Sequence, residues 1–233
     1  MEINSSSLNK TARLAGLLYL LLVITGVYGI MYIPAQIIVA GDSVSTAKNM
    51  ISNEVLFRTG ILNDIISNTI FLFLVLVLYR LFKHVKENQA KLMVALVIVQ
   101  IPFAFIMEAF NITSLMILKG EILKTFELTQ RQDFAMLFLK INDYGTLPLE
   151  MFWGLWLLPF GLLVYKSEFI PRIFGILLVI AGIAYMIDST ISMLFPNYSV
   201  FVNKPTLLLV AIGEISITLW LLIKGVKIQE QKI

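Results

Sequence analysis

Five carboxylates interrupt stretches that are otherwise apolar: Asp64, Glu108, Glu150, Asp188 and Glu214. Carboxylates flanked by amide and hydroxyl oxygens suit a hard divalent cation, an organic cation or a proton, and paired ones can do general acid/base work. Such neighbours recur here at helical spacing. Gly60, Asn63, Asp64, Ser67 and Asn68 form one stripe, and Gln100, Ala104, Glu108 and Asn111 another. Asp143, Glu150, Gly154 and Gly161 follow, then Gly182, Tyr185, Asp188 and Ser192, and last Gly213, Glu214 and Thr218. Arg58 and Lys140 are the cations that could reach these acids.

The elements that must carry these residues are transmembrane helices. Of 233 residues 58% are hydrophobic and 14% charged, with a mean hydropathy of +0.87. A soluble domain carries about 25% charge and about 45–50% apolar residues, so the excess belongs to lipid-facing surface. Six stretches reach the roughly 20 residues a span needs: 14–39, 56–81, 92–118, 147–165, 169–194 and 205–223. The expected fold is one all-α transmembrane domain over 1–233, a bundle of six spans with short amphipathic helices in the outer loops. The first apolar run is too long for a signal peptide core of about 7–15 residues and reads as an uncleaved span.

Two connecting segments have their own patterns. In 41–55, Ser43 or Ser45 is a plausible N-cap for a short helix. In 119–144, Thr129 and Gln132 make a T-x-x-Q capping box opening an apolar stretch. Gly145 and Pro148 then predict a break, with a lid-like helix before it and the fourth span after it.

Orientation follows from the basic residues near span ends. With the N-terminus inside, the inner set is Lys10, Arg13, Arg80, Lys83, Lys86, Lys91, Lys166, Arg172, Lys224, Lys227 and Lys232, which is 11 of 18. Four of the other seven lie in one long segment, so both termini are assigned to the cytoplasm. Counting from the inner basic residues, Asp64, Glu150 and Asp188 lie 16 positions away and Glu108 lies 17. At about 1.5 Å per residue that is roughly 24 Å, a common layer some 6 Å below the outer edge of a core about 30 Å thick. Glu214, 10 positions from Lys224, lies deeper.

Two readings of the layer stand side by side. The acids are structural if Asp64 pairs with Arg58, Glu150 with Lys140, and the rest bond to Asn, Ser and Tyr. They are functional if they line an outward-facing acidic cavity for a small cationic, metal-ion or lipid-headgroup ligand. The ligand candidates are Asp64, Asn68, Glu108, Asn111, Glu150, Asp188, Glu214 and Arg58, and the metal candidates Asp64, Glu108, Glu150 and Asp188. A metal-dependent membrane enzyme acting on a lipid is the alternative, and an accessory protein whose acids only fasten helices is the third.

Several chemistries are excluded or unsupported. There is no cysteine, which removes thiol nucleophiles, iron–sulfur clusters and disulfides, and the single His84 sits in a charged turn. No haem or nucleotide motif is present, and no nucleophile setting points to an enzyme; a divalent cation remains compatible with the oxygens. No basic run with interleaved aromatics suggests nucleic acid, so the expected partners are the lipid bilayer and a small molecule, ion or lipid. Protein partners are not indicated. Trp153 and Trp156 read as packing, and the Asn111-Ile112-Thr113 sequon lies within a span. Tyr79-Arg80 and Tyr165-Lys166 close the second and fourth spans alike, an echo that shared membrane boundaries explain as well as duplication does.

The segments TARLAGLLYLLLVITGVYG, LNDIISNTIFLFLVLVLYRLFK, GLWLLPFGLLVYKSEFIPRIFGILLVIAGIAY and GEISITLWLLIKGVK resemble the bacterial multi-pass family catalogued as domain of unknown function 4386. The likeness runs from about Thr11 to Lys227 and is most specific in LWLLPFGLLVYKSEFIPRIFG. It implies a small bacterial inner-membrane protein of six or seven spans, and it carries no activity, cofactor or active-site residue across.

Overall fold

The computed structural model describes residues 5–226; Lys227 and Lys232 of the inner basic set lie outside the described residues. It is helical from end to end. The helices are α1 (Ser5–Gly26), α2 (Ile33–Ile37), α3 (Ser43–Ser52), α4 (Glu54–Phe82), α5 (Glu87–Ile98), α6 (Ile101–Leu118), α7 (Leu128–Lys166), α8 (Arg172–Leu194) and α9 (Ser199–Leu219). Among the described residues, six stretches are long and apolar enough to cross a membrane: Ser6–Ile37, Glu54–Phe82, Glu87–Leu118, Leu128–Lys166, Arg172–Leu194 and Pro196–Lys224. The outward face of α8 shows why this is a membrane protein. Ile173, Ile176, Ile180, Ile183 and Ile187 are all exposed at alternating three- and four-residue steps, while Gly175, Leu178, Gly182 and Ser189 face inward. A water-facing helix has the reverse pattern.

Prolines punctuate the spans. The first contains a π-helical stretch, Val27–Tyr32, just before Pro34. Proline 34 cannot bond back to the carbonyl four residues earlier, and a widened turn is a common way to absorb that loss. The third span, expected as one helix, is interrupted at Val99 and Gln100, ahead of Pro102. There the buried Gln100 amide donates to Leu96 O (3.2 Å), replacing part of the lost ladder.

The predicted break near Gly145–Pro148 does not occur. Leu128–Lys166 is one helix of 39 residues with Pro148 and Pro159 inside it, so the separate lid helix is absent. Thr146 Oγ1 bonds the carbonyl of Asn142 (3.2 Å), and Asn142 Nδ2 donates to Met107 O (3.0 Å), keeping this stretch helical and anchored. The capping box is also displaced. Gln130 Oε1 accepts from the Glu127 amide (3.0 Å), and the Glu127 carbonyl accepts from Arg131 N (3.0 Å), so Glu127 rather than Thr129 is the cap. The short helix after residue 41 does form, but its cap is Asp42: its Oδ1 accepts from Ser45 N (2.9 Å) and its Oδ2 from Ser45 Oγ (2.6 Å).

The chain divides into two compact units. One comprises residues up to Leu22, Ile70–Gln100 and the chain from Leu147 onward; it is organised around fully buried Tyr19, Phe82, Met93, Leu157 and Phe160. A close-packed glycine seam joins α7 to α8. A Cβ on Gly154 would lie 2.5 Å from Gly182 O, and one on Gly175 would lie 2.5 Å from Gly161 O. The other unit comprises Val23–Thr69 and Ile101–Thr146, with a core that includes Ile37, Met50, Phe57, Leu115 and Leu139. There α6 ends in a Schellman turn: Glu121 N donates to Met116 O (3.0 Å), Gly120 N to Ile117 O (3.0 Å), and Gly120 supplies the positive φ of 69°.

Candidate functional site

The five span carboxylates fall into two groups, one in each unit. In the second unit, Asp64 and Glu108 are close enough to interact electrostatically. Asn63 bridges α4 to the first span by donating to Asp64 Oδ1 (3.1 Å) and to Thr25 O (2.9 Å). Thr25 Oγ1 in turn donates to Ser67 Oγ (3.0 Å). Gly29 lies so close to the Asp64 carboxylate and the Asn63 amide that a side chain there would displace them. Glu108 is nearly buried and accepts from Asn111 Nδ2 (2.9 Å). Asn68 donates to the backbone carbonyl of Asp64 (2.8 Å) and so secures its own helix rather than the carboxylate.

In the first unit, Glu214 Oε2 accepts a hydrogen bond from the buried Tyr19 hydroxyl (2.8 Å), and the Tyr185 hydroxyl bonds the same carboxyl group. Tyr185 also lies within electrostatic range of Glu150 and Asp188, which interact with each other. Asp188 Oδ1 accepts from Ser192 Oγ (3.3 Å) and, with the amide of Asn203 turned to donate, from Asn203 (2.8 Å). Glu150 accepts no hydrogen bond among the described residues. Aromatic rings surround this group: Tyr19 lies 6.1 Å from Trp156, Trp156 stacks on Phe160 at 5.4 Å, and Trp153 meets Tyr185 edge-on at 5.9 Å.

The two cations expected to reach these acids are paired elsewhere. Arg58 bonds Glu54 (2.8 Å), which Lys119 shares (3.1 Å), and Lys140 pairs with Asp143 (3.3 Å). The expected pairs Arg58–Asp64 and Lys140–Glu150 are therefore replaced by local ones at short sequence separation. Among the described residues, no Lys or Arg forms an ion pair with any of the five span carboxylates. Nor do three or more Asp, Glu or His side chains among the described residues gather into a group that could hold a metal ion. Of the metal candidates, Asp64, Glu108 and Asp188 each accept from an Asn or Ser partner.

Sequence reasoning missed Tyr19, Thr25, Gly29, Asn142 and Asn203. A tyrosine within an apolar span is a signal in itself, because a buried phenol needs a hydrogen-bond partner. Trp153 and Trp156, read as packing, do pack, and they do so around the acidic group.

Fold and composition define an all-helical, multi-pass membrane protein. The chain belongs to the family described as Domain of unknown function (DUF4386), whose sequence profile matches residues 14–225. It is also similar to an uncharacterized protein of Archaeoglobus fulgidus, 33% identical over 114 residues that make up 47% of this chain and 67% of that protein. No solved structure matches it.

Proposed function

We propose that the protein binds or carries a small organic cation at the Glu150–Asp188–Glu214 group, from the side of the membrane opposite its termini. The observation behind this reading is that these acids share a unit with no Lys or Arg paired to them among the described residues. A carboxylate in a low-dielectric span needs a proton or a positive partner. Tyrosine and tryptophan faces beside it favour an ammonium-type cation over a hydrated metal ion. The termini and inner basic residues are taken as cytoplasmic, in a bacterial inner membrane.

The test uses purified full-length protein and follows thermal unfolding with choline, tetramethylammonium, Mg2+ or Ca2+ added. The organic cations should raise Tm in wild type and fail to do so in the Glu150→Gln/Glu214→Gln variant. Equal shifts in both proteins, or a response to Mg2+ and Ca2+ alone, would reject the reading.

A second reading, that the acids fasten helices, draws on the Tyr19–Glu214 bond between α1 and α9. Under it, Tyr19→Phe destabilises by about 0.5–1.5 kcal/mol, and no organic cation shifts Tm in any variant.

A further inference from the structure

We infer that the turns joining α4 to α5 and α7 to α8 form a docking site for the headgroup of an anionic phospholipid. Both turns belong to the first unit. Between positions 79 and 91 and between 165 and 172 the chain carries six cations, Arg80, Lys83, Lys86, Lys91, Lys166 and Arg172, against two acids, Glu87 and Glu168. Lys91 is paired with Glu87 (2.9 Å). The other five are exposed, and none makes an ion pair among the described residues. Elsewhere Arg58, Lys119 and Lys140 have carboxylate partners, whereas Lys10, Arg13, Lys48, Lys124, Arg131, Lys204 and Lys224, like the five at the turns, form no ion pair among the described residues. The two turns stand out by density, with five such cations within positions 79–91 and 165–172.

The turns are held together by an aromatic clasp. Phe82, fully buried at the end of α4, stacks on Phe169 at 5.7 Å and meets Phe160 edge-on at 5.8 Å. That contact fixes the basic turn after Phe82 beside the one after Lys166. The Arg172 guanidinium lies 5.4 Å over the ring of Tyr165, held at the span end where headgroups lie.

The neighbouring surface selects a lipid over a free anion. Leu162, Ile173 and Ile176 are 40%, 53% and 44% exposed on the helices that enter and leave the second turn. A phosphate held by Lys166 and Arg172 would lay an attached acyl chain along that apolar surface. Basic clusters at span ends recognise anionic headgroups in this way.

The experiment compares wild type with the triple variant Lys83→Gln/Lys166→Gln/Arg172→Gln and with the control Lys48→Gln/Lys124→Gln/Lys204→Gln, which loses the same charge elsewhere. Native mass spectrometry of the full chain reads binding of phosphatidylglycerol, phosphatidylcholine and inorganic phosphate. Phosphatidylglycerol binding should weaken about 100-fold in the site variant, taking about fivefold for each of the three cations lost, and about twofold or less in the control. Equal losses in both variants would reduce the effect to net charge and overturn the site. So would phosphatidylcholine or inorganic phosphate binding as well as phosphatidylglycerol. Should the site variant not fold, wild type answers alone: hydrogen exchange at positions 79–91 and 165–173 should slow in phosphatidylglycerol nanodiscs relative to phosphatidylcholine ones, and no difference there overturns the proposal.

Discussion

Asp42 caps α3 through three residues of chain and nothing else, which makes it a clean test at the residue scale. Hydrogen bonds from the Ser45 hydroxyl and amide hold its carboxyl below the usual carboxylate range. Because the folded value is depressed, the cap contributes fully above the ordinary range and is lost as pH falls through the lowered value. Amide exchange at Ser45, corrected for its intrinsic rate, should therefore quicken on acidification through that window. In Asp42→Ala it should be fast throughout. A Ser45 amide equally protected in both proteins would show that the cap does not hold the helix start. The span carboxylates were legible in the sequence because a charge stands out in an apolar run. Partners on the same helix were legible too, because Asn63, Asn111 and Ser192 share a stripe with the acids they bond; Tyr19, which reaches Glu214 from a distant span, was not. Long-range pairing has no sequence spacing to betray it.

At the level of elements, apolar length was a sufficient signal for the six spans, and proline was an ambiguous one. Pro102 coincides with an interruption and Pro148 with none. The difference lies in what surrounds each ring. Around Pro148, Thr146 bonds within its own helix and Asn142 ties that helix to α6, whereas the chain before Pro102 opens and the Gln100 side chain fills in. The glycines make a sharper prediction. Gly154→Ala or Gly175→Ala drives a methyl against the backbone of the facing helix and should cost about 1–3 kcal/mol. Gly26, whose Cβ would meet nothing within 4 Å, is the control. Gly26→Ala should be neutral or stabilise by about 0.5–1 kcal/mol. Chemical unfolding in mixed micelles reads all three, and equal effects would refute the seam.

Considered whole, the molecule has a sidedness that its charges predict. The chain has no cysteine, so a single engineered thiol reports its own exposure without background. His84→Cys should react with a membrane-impermeant maleimide only after the cells are opened, and Lys124→Cys should react in intact cells. The opposite pattern would invert the topology and move the acidic group to the cytoplasmic side. Division into two units was not legible beforehand. It cuts through spans that hydropathy treats as continuous, at positions 22–23, 69–70, 100–101 and 146–147.

The glycine seam also bears on the order of assembly. Gly154 faces Gly182 and Gly161 faces Gly175, with only the short chain around Ser167–Pro171 between the two helices. Closing so short a loop costs little entropy, and contacts between near neighbours in sequence form early. The α7–α8 hairpin therefore has the means to pair as soon as both spans have entered the bilayer. The remaining spans would then meet a surface already built, with Trp156, Phe160 and Tyr185 in place before Tyr19 and Glu214 close upon them.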